Sequence, residues 1–277
     1  MKVVLFCGGM GTRLRDYSDV VPKPMVTIGY RPILWHVMKY YAHFGHKDFI
    51  LCLGHRGDAI KQYFRTYDEC LSNDFVLSGG GREIQLLNSD IHDWTITFVD
   101  TGMSSTIGER LKAVEGLLEG EQMFLANYSD GLTNLHLPSY IDAFRAQDKT
   151  AAFLAVRSQQ SFHVASIEDD GLVTHIEPVT DADIWVNAGF FIFRHEIYDF
   201  LGKGEDLVFE PFQRLISKRE LYGHKYLGFW AAMDTFKDRE ILEETWRLGS
   251  APWELWKPAD RSASFGRARP PNPMNGQ

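Results

Sequence analysis

The sequence has no long apolar run and no excess of basic residues. No stretch approaches the roughly 18 consecutive apolar residues of a membrane-spanning helix, and Met1 and Lys2 lead straight into a short strand without a secretory signal. Its 29 lysines and arginines are dispersed and outnumbered by 37 aspartates and glutamates, which gives a net charge of −8. We therefore expect a soluble protein that binds neither a membrane nor a nucleic acid.

Cysteine is also scarce. The three cysteines, Cys7, Cys52 and Cys70, are an odd number, and the first two lie in apolar, strand-like runs. A reducing compartment, the cytoplasm, is therefore expected. With 277 residues and a hydrophobic content of 44%, the chain can bury a sizeable core as one large domain. Residues 258–277 are rich in proline and poor in apolar residues, so we predict a disordered tail.

A glycine loop follows the first strand. The apolar run Val3–Cys7 has the length and β-branched content of a buried strand, and it breaks into the loop Gly8–Gly11. Consecutive backbone N–H groups in such a loop make a concave anion site. Arg13 adds a planar fork for phosphate oxygens, and Lys23 adds an ammonium on a segment stiffened by prolines on both sides. The segment therefore predicts a phosphate-binding site.

Two commoner glycine motifs fit this loop poorly. A dinucleotide-binding fingerprint, G-x-G-x-x-G, needs a third glycine where Leu14 stands. A P-loop needs a lysine after its last glycine, at a spacing that this loop does not have. A glycine-rich turn without a ligand stays open as the alternative, although Lys23 and the aspartates further along the chain argue against it.

Strands and amphipathic helices alternate over the first half of the chain. Apolar runs at Asp48–Leu53, Trp94–Val99 and Gln122–Ala126 alternate with helical stripes, two of which begin near Ile33 and Gly108. This order predicts an α/β fold with a Rossmann-like mixed, mostly parallel sheet flanked by helices. The later part has shorter strands and predicts a small β-rich region that covers the crevice. Its predicted strands are His163–Ile167, Leu172–Ile176 and Trp185–Phe193, and its predicted helices are Phe209–Ser217 and Phe236–Leu248.

Two aspartates are candidate metal ligands. Asp130 follows the buried strand at 122–126, so it is expected at the sheet edge where the glycine loop lies. A carboxylate beside bound phosphate makes sense with a divalent cation between them, and Mg²⁺ takes one or two carboxylates plus phosphate oxygens. Asp234 is the second candidate. The alternatives are a plain turn at Asp130-Gly131 and an N-cap role for Asp234 at the helix that follows it.

Several motifs together resemble one enzyme family. The segments GGMGTRL, PKPM, PILWHVMKYY, DTGMSS, SDG, NAGFF and GFWAAMDT resemble the sugar-1-phosphate nucleotidyltransferases, most closely the glucose-1-phosphate cytidylyltransferases. The resemblance implies one domain over residues 1–257, with a nucleotide half at about 1–150 and an acceptor half at about 151–257. It also implies CTP, Mg²⁺, a small phosphorylated acceptor and a homo-oligomer.

The predicted site residues fall into four groups. Arg13, Lys23 and Asp130 are predicted to be catalytic, and Asp130 and Asp234 to bind the metal. For Arg110, in the first turn of a helix, simple solvation is the alternative to a place near the nucleotide. The predicted nucleotide contacts are Leu5, Gly8, Gly9, Gly11, Thr12, Arg13, Lys23, Ser105, Arg110 and Tyr128. The predicted acceptor contacts are His163, Glu177 and Asn187.

Two positions depart from the family pattern. The family usually carries Glu-Lys-Pro before its Asn-Gly-Gly-Phe-Phe strand, and that lysine binds the acceptor's phosphate, whereas here Glu177 is followed by Pro178. Where the family has Arg-Phe-Gly, this chain has Ser161-Phe162-His163, which puts an imidazole near the acceptor pocket. Because nucleotide-side residues are kept while acceptor-side residues differ, we predict an acceptor other than glucose 1-phosphate.

The predicted reaction is in-line attack of an acceptor phosphate oxygen on the α-phosphorus of CTP, which releases pyrophosphate. Three alternatives remain. The first is an ordinary glucose-1-phosphate cytidylyltransferase that tolerates Pro178. The second is a catalytically silent nucleotide- or sugar-phosphate-binding protein. The third is a nicotinamide-dependent dehydrogenase, which the missing third glycine disfavours.

Overall fold

An eight-stranded mixed sheet lies at the centre of the protein. The structure is a computed structural model that describes residues 1–9, 21–158 and 162–257. In chain order its strands are β1 (Val3–Phe6), β2 (Thr27–Ile28), β3 (Arg31–Pro32), β4 (Asp48–Leu53), β5 (Phe75–Ser78), β6 (Glu83–Leu86), β7 (Thr95–Asp100), β8 (Met123–Tyr128), β9 (Gly131–Thr133), β10 (Ala151–Arg157), β11 (His163–Ile167), β12 (Val173–Pro178), β13 (Trp185–Asn187), β14 (Phe191–Arg194), β15 (Leu221–Tyr226) and β16 (Trp230–Ala232). The α-helices of the described ranges are α1 (Ile33–His43), α2 (Gly57–Arg65), α3 (Ile107–Ala113), α4 (Leu137–Gln147), α5 (Glu210–Ser217) and α6 (Phe236–Arg247).

The sheet is mostly parallel and joins strands from both halves of the chain. Its order is β13-β10-β14-β8-β1-β4-β7, and β15 pairs with β10 in parallel. Strands β8, β1, β4 and β7 run parallel to one another, and β14 is antiparallel to β8 and β10. The predicted α/β class is therefore confirmed. None of the described helices has the length and apolar character needed to cross a membrane.

Strand β1 is buried on both faces of the sheet, which explains its unbroken apolar run. Val3 and Leu5 pack into a core cluster that includes side chains of α1 and α4. Val4 and Phe6 point the other way, into a cluster that includes side chains of α3 and α5. Each of these four side chains is at most 4% exposed. The helices therefore fix β1 from two sides.

One predicted strand and one predicted helix are corrected by the structure. The run Trp185–Phe193, predicted as a single strand, is interrupted because Gly189 and Phe190 take positive φ angles of 75° and 48°. The Phe190 N–H donates at 2.8 Å to Oδ1 of Asn127 on β8, so a side chain takes the place of a ladder partner. The helix predicted over 108–118 ends at Ala113 and continues as a 3-10 turn.

The glycine triplet at 79–81 lies in the turn of the hairpin β5–β6. In this hairpin Phe75 pairs with Leu86 and Leu77 with Ile84. Because paired residues share a face and alternate along each strand, these four apolar side chains form one face. They are 37% to 57% exposed. We call this surface the hairpin face.

Candidate active site

The carboxyl ends of the parallel strands form one edge of the sheet, where several of the predicted nucleotide-side residues lie. Gly8 and Gly9 follow β1, Gly54 follows β4, and Ser105 lies in the loop after β7. Asp130 follows β8 in the bend that leads into β9. Parallel strands that end together place these loops side by side, so this edge is the crevice expected of an open α/β sheet.

A small two-stranded ribbon brings the two aspartates together. Strand β9 pairs antiparallel with β16, and Gly131 lies opposite Ala232. Beyond this pair, the N–H of Met233 donates to the carbonyl oxygen of Asp130 at 3.0 Å. Asp130 and Asp234 therefore lie at the same end of the ribbon, although they are far apart in the sequence.

The ammonium of Lys23 links these two carboxylates. Lys23 begins a 3-10 turn directly after Pro22, and its Nζ contacts an oxygen of Asp130 and lies 2.6 Å from Oδ1 of Asp234. The Lys23 side chain is only 16% exposed. Burial alone would lower its pKa, but the Asp130 and Asp234 carboxylates outweigh burial, so the pKa of Lys23 lies above its usual value. Lys23 is therefore charged at neutral pH.

The two carboxylates fit a shared divalent cation. Both touch a single ammonium nitrogen, so they are close enough to bind one ion between them. Carboxylate oxygens are the hard donors that Mg²⁺ prefers. Within the described ranges, no group of three or more histidine, cysteine, aspartate or glutamate side chains is arranged to hold a metal. Phosphate oxygens or water would therefore have to complete the coordination of Mg²⁺ here.

Asp234 precedes helix α6 but does not cap it. The N-cap of this helix is Thr235, whose Oγ1 accepts from the N–H of Asp238 at 3.2 Å. In return Oδ2 of Asp238 accepts from the N–H of Thr235 at 2.7 Å, which completes a capping box. The alternative that Asp234 is the N-cap is therefore wrong, and its carboxylate is turned toward Lys23.

Arg110 is a buried anchor beside Gly8 and the end of β4. Its side chain donates to the carbonyl oxygens of Leu53 and Gly8 at 3.0 Å each and to Oγ1 of Thr101 at 2.7 Å. Only 2% of Arg110 is exposed, so the solvation alternative is wrong. Burial lowers its pKa from the usual value. A Cβ on Gly8 would overlap this guanidinium, which explains the glycine at that position.

The remaining nucleotide-side predictions lie in different surroundings. Ser105 borders the crevice, where its Oγ donates to the carbonyl oxygen of Thr101 at 2.5 Å. Tyr128 packs between Phe6 and Phe191, at ring-centroid distances of 6.4 Å and 5.4 Å, and burial raises its pKa. The side chain of Leu5 is fully buried in the core and does not face the crevice. Gly11, Thr12, Arg13 and the tail at 258–277 lie outside the described residues.

A cavity of about 710 Å³ lies beside Asp234 and is lined by residues between Ser158 and Thr245. Of the predicted acceptor contacts, Asn187 lines it, whereas His163 and Glu177 do not. His163 is exposed and pairs with Pro178 across the hairpin β11–β12, so the two departures from the family pattern are neighbours.

Sequence reasoning missed the apolar part of this cavity wall. Phe162 and Val179 lie on it, and the N–H of Val179 donates to the carbonyl oxygen of Phe162 at 2.9 Å. The only signal was the alternation of apolar residues on either side of His163.

The comparisons with known proteins agree with this geometry. The nucleotidyl transferase family model matches residues 2–238. The glucose-1-phosphate cytidylyltransferases of Salmonella typhi and Salmonella typhimurium are each 36% identical to this chain over 258 residues, which is 93% of this chain and 100% of theirs. The predicted family and enzyme class are thereby confirmed.

A solved structure supports the fold. The structure of UDP-glucose pyrophosphorylase complexed with UDP-glucose superposes with a TM-score of 0.66, at 14% identity over 90% of this chain and 98% of that chain. At this identity the match shows a shared fold. The chain therefore belongs to the nucleotidyl transferase family, as a sugar-phosphate nucleotidyltransferase similar to the glucose-1-phosphate cytidylyltransferases.

Proposed function

We propose that this protein is a Mg²⁺-dependent cytidylyltransferase that joins CTP to a small phosphorylated acceptor, giving a CDP-linked product and pyrophosphate. One observation carries the proposal: the Lys23 ammonium binds both Asp130 and Asp234 at the crevice edge, next to Gly8 and Gly9. A cation between two carboxylates, beside a glycine segment that can receive phosphate, suits a reaction between two anions. The cytidylyltransferase relatives support CTP as the nucleotide.

The chain's own residues act mainly by holding and neutralising charge. Gly8 and Gly9 would receive the triphosphate through backbone N–H groups, and Arg110 holds this segment from below. Lys23 would stabilise the charge that develops at the α-phosphoryl group during in-line attack. Arg13 is predicted to stabilise the charge on the β- and γ-phosphates as they leave as pyrophosphate. Asp130 and Asp234 would hold Mg²⁺, which would supply charge neutralisation for the two anionic reactants.

The acceptor is proposed to differ from glucose 1-phosphate. The relatives named above support glucose 1-phosphate itself, but in this chain Pro178 stands where the family's phosphate-binding lysine is expected. A pyrrolidine ring has no charge to offer to a phosphate. We further propose a cytoplasmic homo-oligomer as the working form.

Pyrophosphate release tests the proposal directly. The purified protein with Mg²⁺ is offered each of the four nucleoside triphosphates together with glucose 1-phosphate, other sugar phosphates and non-sugar phosphorylated metabolites. We expect release with CTP and with an acceptor other than glucose 1-phosphate. Efficient turnover of CTP with glucose 1-phosphate would leave an ordinary family member that tolerates Pro178. No release with any pair would favour a silent binding protein.

A further inference from the structure

The cavity beside Asp234, which we call the acceptor cavity, is walled largely by apolar side chains. Phe162 and Val179 flank the hairpin β11–β12, and Ile184 directly precedes β13. Trp230 lies on β16 and Ile241 on α6. Three of these apolar residues are exposed, with Phe162 at 53%, Ile184 at 41% and Ile241 at 55% exposure. Apolar side chains left open around one concavity indicate a ligand that covers them.

Most polar side chains on this wall already have partners within the protein. Oδ1 of Asn187 accepts from the N–H of Gly189 at 2.9 Å, and Oγ1 of Thr245 donates to the carbonyl oxygen of Ile241 at 2.7 Å. Thr235 and Asp238 are engaged in their capping box. Few uncommitted groups are left to satisfy the hydroxyls of a buried sugar, and a hydroxyl that loses its water without a partner weakens binding.

The polar group of the Trp230 indole also has a partner within the protein. Its Nε1–H donates at 3.1 Å to the carbonyl oxygen of Ala188, so the ring offers the cavity its apolar surface. No lysine, arginine or histidine of the described ranges lines the cavity. Negative charge on an acceptor would therefore be tolerated only near Lys23, whereas the wall away from Asp234 and Asp238 offers the body of the acceptor mainly apolar surface.

From these contacts we infer that the preferred acceptor is a phosphorylated sugar or similar small molecule whose body carries fewer hydroxyls than glucose, with hydrogen, methyl or acyl groups in their place. This inference rests on the proposed function for its phosphate and deepens it by naming the acceptor's substituents. The open side chains of Phe162, Ile184 and Ile241 would pack against those substituents.

A deoxygenated series tests the inference. Glucose 1-phosphate, its 6-deoxy derivative and its 4,6-dideoxy derivative carry the same phosphate and differ only in hydroxyl content. We expect Kd, measured by calorimetry with the full-length protein, Mg²⁺ and a non-hydrolysable CTP analogue, to fall by roughly 10-fold from the first to the last member. An unchanged or rising Kd along the series, or tighter binding of glucosamine 1-phosphate than of the dideoxy compound, overturns it.

Separate measurements of acceptor binding and of turnover distinguish a failure of this inference from a failure of the proposed function. Pyrophosphate release reports the reaction, whereas calorimetry reports the order of acceptor affinities even where no turnover occurs. Ile241→Ser should reduce the preference for the dideoxy acceptor by roughly 10-fold, because it replaces an apolar wall with a hydroxyl. Ile216→Ser on α5 is the matched control, since Ile216 is 52% exposed and does not line the cavity. Equal preferences in the two variants would contradict the role of Ile241.

Discussion

At the level of single side chains, the charges of Asp130 and Lys23 carry the proposed chemistry. Asp130→Asn keeps the shape of the side chain but removes a charge that contacts the Lys23 ammonium. We expect turnover, measured as pyrophosphate release, to fall by ~10²-fold or more, the usual scale for losing one preorganised electrostatic group. Lys23→Ala should have an effect of the same size.

An exposed aspartate provides the control for this prediction. Asp93 is paired with Lys47 at the surface, and its side chain is 40% exposed. Asp93→Asn removes the same charge from a solvated pair, so its turnover should stay near that of the parent protein. A near-normal rate in Asp130→Asn or in Lys23→Ala would contradict the role assigned to that residue.

Alanine at two adjacent glycines should affect stability to different extents. A methyl group on Gly8 would overlap the Arg110 guanidinium, which its hydrogen bonds to Leu53 and Thr101 hold in place. Gly8→Ala should therefore lower the free energy of unfolding by about 2 kcal/mol, the scale of an overpacked site. The measurement is urea denaturation followed by tryptophan fluorescence.

Gly9→Ala is the matched control, because no atom of the described residues lies within 4 Å of a Cβ placed there. Its free energy of unfolding should change by less than about 0.5 kcal/mol. Equal losses in the two variants would mean that the overlap with Arg110 does not limit residue 8.

At the level of elements, His36 ties helix α1 to the segment that follows α6. Its Nε2 lies 3.1 Å from the carbonyl oxygen of Ile28, and its Nδ1 accepts from Nε1 of Trp253 at 3.3 Å. These partners fit a neutral ring with its proton on Nε2, because an imidazolium has no acceptor to offer to Trp253. Burial, helped by the charges of Lys257 and Arg31, lowers the pKa of His36 to about 4.

This shifted pKa predicts a loss of stability in mild acid. In the unfolded chain His36 takes up a proton near pH 6.5, whereas in the folded protein it stays neutral down to about pH 4. The contribution of His36 to the free energy of unfolding is therefore fully present above pH 6.5, and about 3 kcal/mol of it is lost as the pH falls toward 4. Urea unfolding at several pH values measures this slope.

Comparison with variants isolates the contribution of His36. His36→Gln has no proton to bind, so its stability should vary less between pH 6.5 and pH 4 than that of the parent protein. His92→Gln is the control, because His92 is exposed. Parallel pH curves for the parent protein and His36→Gln would refute the assignment.

Local patterns predicted the elements better than the pairings between them. Helix α1 begins at Ile33, where the apolar repeat predicted it, and Asp130 lies at the strand end expected for it. The ribbon β9–β16 was not predicted, because pairing between distant three-residue strands leaves no periodicity in the sequence. The break before Phe190 also escaped prediction, since it depends on the distant side chain of Asn127.

At the level of the whole molecule, the hairpin face is an uncovered apolar surface. Phe75, Leu77, Ile84 and Leu86 share one side of a two-stranded hairpin, which on its own is marginally stable in water. The proposed homo-oligomer would cover this face with a second copy of the chain. We therefore expect size-exclusion chromatography with light scattering to give a mass of two or more times the 31.7 kDa of one chain.

Charges placed on the hairpin face test this assembly. The double variant Leu77→Glu and Ile84→Glu should shift the measured mass toward that of a single chain, because burying two carboxylates at an apolar contact is unfavourable. Ile216→Glu, on the exposed side of α5, should leave the mass unchanged. A parent protein that elutes as a single chain would contradict the proposed homo-oligomer.

The ribbon that joins Asp130 to Asp234 also sets the order in which the protein can acquire activity during synthesis. Strand β16 and Asp234 leave the ribosome long after the parallel strands β1, β4, β7 and β8 have been made. Domains fold while they are being synthesised, but contacts between distant residues must wait for the later partner. A nascent chain can therefore form much of its parallel sheet before it holds both carboxylates, so the proposed chemistry on a triphosphate has to wait until the chain has been made as far as Asp234.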